Sequence, residues 1–348
     1  MPALLTFPGG YSILRKDVSK ERARRRHGEK QMEILFMEPV FKQMVWGGDK
    51  LKKEWQYEAA TDNTGECWGI SAHPHGDCKV RSGRFAGKHL SELWKDEPEL
   101  FGRSTGQNNG ESFPLLVKIL DAKADLSLQV HPDDAYAAIN ENGSRGKAEG
   151  WYVLDAEENA ALLLGHNARS KEELVAQISE GRWSDFIREV PVKKGDFIQI
   201  EPGCAHAIKG GLQIFETEQN SDITYRIYDY DRLVDGKPRE LHLDKALDVI
   251  TVPALSPDAC ISHVENVPVN TKNLLISCDY YKVWKMDVKA DATFEQDEKF
   301  LLVSVVAGAG KLNEEPIKKG DHFILPCGFG QVNLTGDMEL IMSAAVEA

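Results

Sequence analysis

The sequence predicts a mainly β protein of two related barrels or sandwiches, with short helical insertions in its N-terminal half. Three observations predict it. Lys193-Lys194-Gly195-Asp196, with the ten residues that follow to His206, matches Lys318-Lys319-Gly320-Asp321 and its continuation to Gln331 without a gap. A repeated turn–strand–turn unit implies a duplicated domain. Many short segments alternate apolar and polar residues, which is the period of a half-buried strand. The length of 348 residues exceeds the size at which one core keeps growing, so two domains are expected.

Residues 1–31 stand apart. They carry eight Lys or Arg against three acids, including Arg22-Ala23-Arg24-Arg25-Arg26, and have no apolar core of a secretory signal. They are read as a disordered extension. From Met32 the chain is patterned. Ile34 to Phe41 reads as a strand interrupted by Pro39, Trp46-Gly47-Gly48 as a turn, and Glu66 to His73 as a strand. His73-Pro74-His75 is a rival metal motif, but Pro74 breaks the strand, so the two imidazoles need not share a face. They are read as structural or solvated. Gly87 to Phe101 has helical spacing in Leu90, Leu93 and Trp94, and Phe113 to Leu120 is a buried strand with a lone Lys118. That lysine points into a wet cavity or sits at a sheet rim.

Leu126 to Asp134 organises the rest. Ser127-Leu128-Gln129-Val130-His131 alternates strictly, so Gln129 and His131 share one face and Leu128 and Val130 the other. Such a strand can offer an oxygen and a nitrogen to one metal ion. A Gly-rich loop, 142–146, then delivers Lys147-Ala148-Glu149 into the strand Trp151 to Leu154. Lys171 to Val190 reads as helical, centred on Leu174, Ile178 and Phe186. Leu212 to Thr217 and Ser221 to Arg232 read as strands, the second placing Asp222, Thr224 and Arg226 on one face. The proline-rich stretch 255–275 reads as the junction, so the domains are expected at 32–255, bearing the metal, and 256–348, lacking the ligands because Gln331 replaces the histidine.

Composition narrows the function. Hydrophobic content is 42%, ordinary for a globular chain. A net charge of −13 disfavours nucleic acid and anionic membranes as partners, and obliges a site for an anionic substrate to supply its own positive charge. Six scattered cysteines without Cys-x-x-Cys read as reduced thiols in a cytoplasmic protein. No apolar run approaches the roughly 18 residues of a membrane span. The oligomeric state is not written in these features.

Gly-Asp followed by Gly-x-x-His at 206, after a metal-bearing strand, resembles the cupin signature, with Gln129 in place of its first histidine and Glu201 where a proline is usual. Glu66-Cys67-Trp68, Phe113 to Lys118, Gln129 to Asp134, Lys147 to Tyr152 and Ser221 to Arg232 together resemble the type I mannose-6-phosphate isomerase family, in its short bacterial form, over about residues 33–345. The large helical domain of longer members has no counterpart here.

The resemblance implies two cupin-type jelly-roll barrels and one zinc per chain, bound by Gln129, His131, Glu149 and His206. Two imidazoles, a carboxylate and an amide oxygen suit zinc with an open position; two histidines and a carboxylate also suit non-haem iron. The implied substrate is a small sugar phosphate, and the implied reaction exchanges mannose 6-phosphate and fructose 6-phosphate through an enediol. Lys147, Asp222 and Arg226 map to the proton and charge work, with Arg226 as charge stabiliser and the base open between the others. Ser127 maps to a phosphate contact, or is a plain strand serine. Two alternatives remain on the same frame: an iron-dependent dioxygenase and a non-catalytic sugar-binding cupin.

Overall fold

The computed structural model describes residues 32–104, 112–265 and 267–346. The extension expected at 1–31 lies outside them. The fold is mainly β. A seven-stranded antiparallel sheet runs in the order 261–263, 196–200, 149–156, 212–219, 115–122, 40–48, 64–70. A five-stranded sheet runs 225–228, 128–130, 206–208, 161–166, 187–191. One apolar cluster holds Trp46, Leu120, Trp151 and Ile214 of the first sheet with Leu164 and Ile208 of the second, so the two sheets face each other as a barrel. The outer side of the smaller sheet buries Leu128, Val130, Ala207 and Ile227 against Leu174, Ile178 and Ala246 of the helices Lys171–Ser179 and Leu243–Val249. The alternation expected at 128–131 therefore holds: the leucine and valine face the helices, and the polar residues face the barrel.

The C-terminal sheet is built on the strands Tyr281–Gln296, Leu301–Leu312 and Gly330–Ala345. Its core is apolar, including Trp284, Met286, Val303, Leu334, Leu340 and Met342. Each long strand has a left-handed residue part-way along, at Ala290 (φ 63°), Gly308 (φ 72°) and Gly336 (φ 122°), and Ala290 pairs with Gly336. A Cβ at Gly308 would meet the Asp337 carbonyl oxygen at 2.1 Å. Glycine is what allows backbones to approach that closely where a sheet bends.

The repeat is structural as well as sequential. Gly195 and Gly320 adopt φ of 93° and 91°. Asp196 accepts from the Lys193 backbone N–H at 2.9 Å, and Asp321 from that of Lys318 at 2.9 Å. Each turn thus feeds its strand, Asp196–Ile200 or His322–Leu325, in the same way.

Several expectations are corrected. The region 34–48 forms two strands, Leu35–Glu38 and Val40–Gly48, and Trp46 to Gly48 end the second strand without forming a turn. Leu35–Glu38 leaves its neighbours and pairs with His322–Leu325 of the C-terminal sheet. The helix expected over 171–190 stops at Ser179; Gly181 is left-handed (φ 63°), a short helix covers Trp183–Phe186, and Ile187–Pro191 is a strand. The strand expected from Ser221 is confined to Tyr225–Tyr228, because the Ser221 hydroxyl is engaged by the Ile223 N–H at 3.5 Å in a local turn. Among the described residues, no helix is long and apolar enough to cross a membrane.

Candidate active site

Four strands and one loop bring the expected residues together. His206 opens the strand His206–Ile208 and pairs with Gln129. Arg226, on the other flank of that central strand, also pairs with Gln129. Glu149 begins its strand on the opposing sheet. All the singled-out residues line one cavity of about 430 Å³ except His131, which lies just behind it against Glu149. Asp222 arrives from the 221–224 loop and not from a strand face, yet it reaches the same cavity as Arg226.

The two imidazoles have defined tautomers. His131 Nδ1 donates to the Ile223 carbonyl at 2.7 Å, and His206 Nδ1 donates to the Cys204 carbonyl at 2.9 Å. Each neutral ring therefore keeps a bare lone pair on Nε2. Those nitrogens face the Glu149 carboxylate, His131 at 3.2 Å from Oε1 and His206 at 3.6 Å from Oε2. Burial, then Lys147, pushes His131 down to about 3, and burial also lowers His206. Burial alone would raise Glu149, but Lys147 foremost holds it well below the usual carboxylate range. His131 Nε2 and Glu149 Oε2 are buried without a hydrogen-bond partner. Lone pairs converging on an anion repel one another unless a cation lies between them, so the donor set fits a metal ion. The ligand atoms of His131, Glu149 and His206 all lie within 4.8 Å of one another. The Gln129 amide nitrogen lies 3.3 Å from His206 Nε2 and its oxygen accepts from Ser127 Oγ at 3.4 Å; a half-turn of the amide presents the oxygen, the end a metal takes.

Around this cluster runs a buried ladder of charge. Lys147 Nζ lies 2.6 Å from Glu149 and 3.0 Å from Glu218; Lys118 Nζ lies 2.7 Å from Glu218 and 3.0 Å from Glu216. Lys118 is thus a cavity lysine in a sheet interior, not a rim residue. Glu216 and Glu218 were not singled out from the sequence. Their signal was present, since Glu216-Thr217-Glu218 puts two acids on one face of a strand. Arg226 is anchored by Nε to Ser127 Oγ at 3.3 Å and by a terminal nitrogen to the Glu240 carbonyl at 2.8 Å. His73 and His75, read as structural or solvated, both meet Asp222, with His75 largely exposed.

A barrel with this amide beside a buried carboxylate and paired buried imidazoles defines a cupin with a metal-competent centre. Residues 34–161 match the type I phosphomannose isomerase catalytic-domain model, and residues 270–345 match the mannose-6-phosphate isomerase cupin-domain model. A mannose-6-phosphate isomerase of Bacillus subtilis is 46% identical, covering 89% of this chain and 98% of its own. The crystal structure of a mannose 6-phosphate isomerase from that species superposes with a TM-score of 0.80 at 43% identity, covering 90% of this chain and 99% of its own. A zinc-bound mannose 6-phosphate isomerase shares the fold at TM-score 0.69 and 14% identity, over 90% of this chain and all of its own. The chain belongs to the type I mannose-6-phosphate isomerase family.

Proposed function

We propose that this protein interconverts mannose 6-phosphate and fructose 6-phosphate through an enediol, with one zinc per chain held by Gln129, His131, Glu149 and His206. The observation that carries the metal assignment is the pair of bare imidazole nitrogens facing a buried carboxylate. The relatives carry the isomerase reading and not the dioxygenase or binding-module alternative. When bound, the ion supplies Lewis-acid withdrawal of charge from the sugar's carbonyl and hydroxyl groups.

The chain's own residues do the remaining work. Asp222 is the group we assign to proton transfer at C2. Burial alone would raise its carboxyl, but the hydrogen bond from His75 and the nearby His73 hold it below its ordinary value, so it is ionised and able to accept a proton. Arg226 stabilises charge as it develops on the enediol oxygens. Burial and then Arg239 lower its pKa, yet a guanidinium stays cationic at any working pH. Lys147, held between Glu149 and Glu218, adds fixed positive charge to the cavity floor. Ser127 orients the Arg226 guanidinium and is offered to the substrate phosphate. We place the catalytic half at 32–255 and a ligand-free half at 256–348. The six free cysteines fit a cytoplasmic enzyme. The test is a coupled assay forming fructose 6-phosphate from mannose 6-phosphate: turnover is expected, it stops on chelation, and zinc restores it. A metal-loaded protein with no turnover would refute the reading.

A further inference from the structure

The motif His73-Pro74-His75 is not used by the chemistry above, yet it closes on one of its members. His73 Nε2 lies 3.5 Å from Asp222 Oδ1, and His75 Nδ1 lies 2.5 Å from Asp222 Oδ2. Each carboxylate oxygen therefore has its own imidazole. The His75 backbone N–H donates to His73 Nδ1 at 3.2 Å, which leaves the proton of the neutral His73 ring on Nε2, aimed at the carboxylate. His75 Nδ1 must likewise donate, because an ionised carboxylate only accepts. His75 hydrogen-bonds one carboxylate oxygen and His73 stands at ion-pair distance from the other, so the trio forms a clamp of one hydrogen bond and one longer electrostatic contact. The turn that makes the clamp is tight: a Cβ on Gly76 would strike the Trp68 ring at 2.6 Å, and His73 meets that ring edge-on at 5.8 Å.

We propose that His73 and His75 are positioning residues for the isomerisation, holding the Asp222 carboxylate in one plane against the substrate cavity. The proposal rests on the assignment of Asp222 to proton transfer. A carboxylate carried on the 221–224 loop has no strand to fix its torsions, and the His75 hydrogen bond on one oxygen with the His73 contact on the other supplies that constraint. Proton transfer depends on such alignment. His75 stands at the cavity wall with its side chain 70% exposed, whereas His73 is 13% exposed and packed beneath it. The charged groups facing Asp222 are the two imidazoles and, from the 147–149 segment, Lys147; the Lys42 ammonium donates to the His75 carbonyl.

The test uses the zinc-loaded full chain. His75→Ala should lower kcat about tenfold, the worth of one hydrogen bond to a charged group, and leave KM and zinc content nearly unchanged. Losing a donor to the ionised form raises the pKa of Asp222, so the acid limb of the kcat profile should move to higher pH. His75→Asn, which keeps an N–H donor, should recover much of the rate, and His73→Gln should behave like it. In an Asp222→Asn background, His75→Ala should cost nothing further. Wild-type kcat with an unmoved acid limb in His75→Ala, beside an inactive Asp222→Asn, would overturn the clamp while leaving Asp222 its role. An active Asp222→Asn would overturn that role itself.

Discussion

Arg226 is held from two sides, by Ser127 and by the Glu240 carbonyl, so its guanidinium reaches the cavity already oriented. Preorganised donors of this kind act on charge that appears only in the transition state. Removing one costs about 3 kcal/mol, or 10² to 10³ in turnover. Arg226→Ala should therefore lower kcat by that order, keep its zinc and change KM less. A steep rise in KM at near-normal kcat, in steady-state kinetics, would move Arg226 to phosphate binding. At this scale the sequence was informative wherever alternation along 128–131 decided a face, as at Gln129 and His131; Lys147 precedes its strand, which begins at Glu149. Asp222 reached the cavity by a route that alternation could not describe, since the Ser221 turn replaces the expected strand. The imidazole tautomers depend on carbonyls of Ile223 and Cys204, and the first of these is distant in sequence from its histidine.

Among the elements, the strand His322–Leu325 carries a group that the repeat disguised. His322 aligns with Phe197 of the first copy, and its ring is buried. Its nitrogens meet Ser304 Oγ at 2.7 Å and Tyr57 Oη at 2.9 Å, and a Cβ at Gly69 would lie 2.4 Å from the ring. The imidazole thus couples the C-terminal sheet to the 57–69 segment. Burial pushes it down from 6.5 to about 4. The folded state then binds this proton less readily than the unfolded chain, so the stability it contributes is complete above pH 6.5 and is lost as pH falls through 4. The window is worth about 3 kcal/mol. Urea midpoints followed from pH 7 to pH 4 should fall more steeply for the wild type than for His322→Gln; parallel curves would contradict this. Element type was legible where one period ran alone. At 171–191 two periods meet: Gly181 ends the helical one, and Ile187 to Pro191 pairs with Ala161–His166, a long-range contact that no local pattern announces.

Across the whole molecule, duplication left two turn–strand units with the same glycine geometry and different fates. The first barrel keeps polar side chains inside; the second is filled with apolar side chains, and Gln331 points to solvent on the strand Gly330–Ala345. Gln331→Ala should leave turnover within a few-fold of wild type, and a loss like that of His206→Ala would mean the chemistry lies in the other barrel. The duplication was readable because turn residues are local. The exchange of Leu35–Glu38 into the C-terminal sheet was not, because pairing with His322–Leu325 is decided by packing across the chain. Metal content measured beside activity tests the metal assignment. Elemental analysis of the wild type should give one zinc per chain. His131→Ala should lose zinc and isomerase activity together, since an amide, one imidazole and a carboxylate hold the ion poorly. Two ions per wild-type chain, or a His131→Ala protein that keeps its zinc at unchanged affinity, would contradict it.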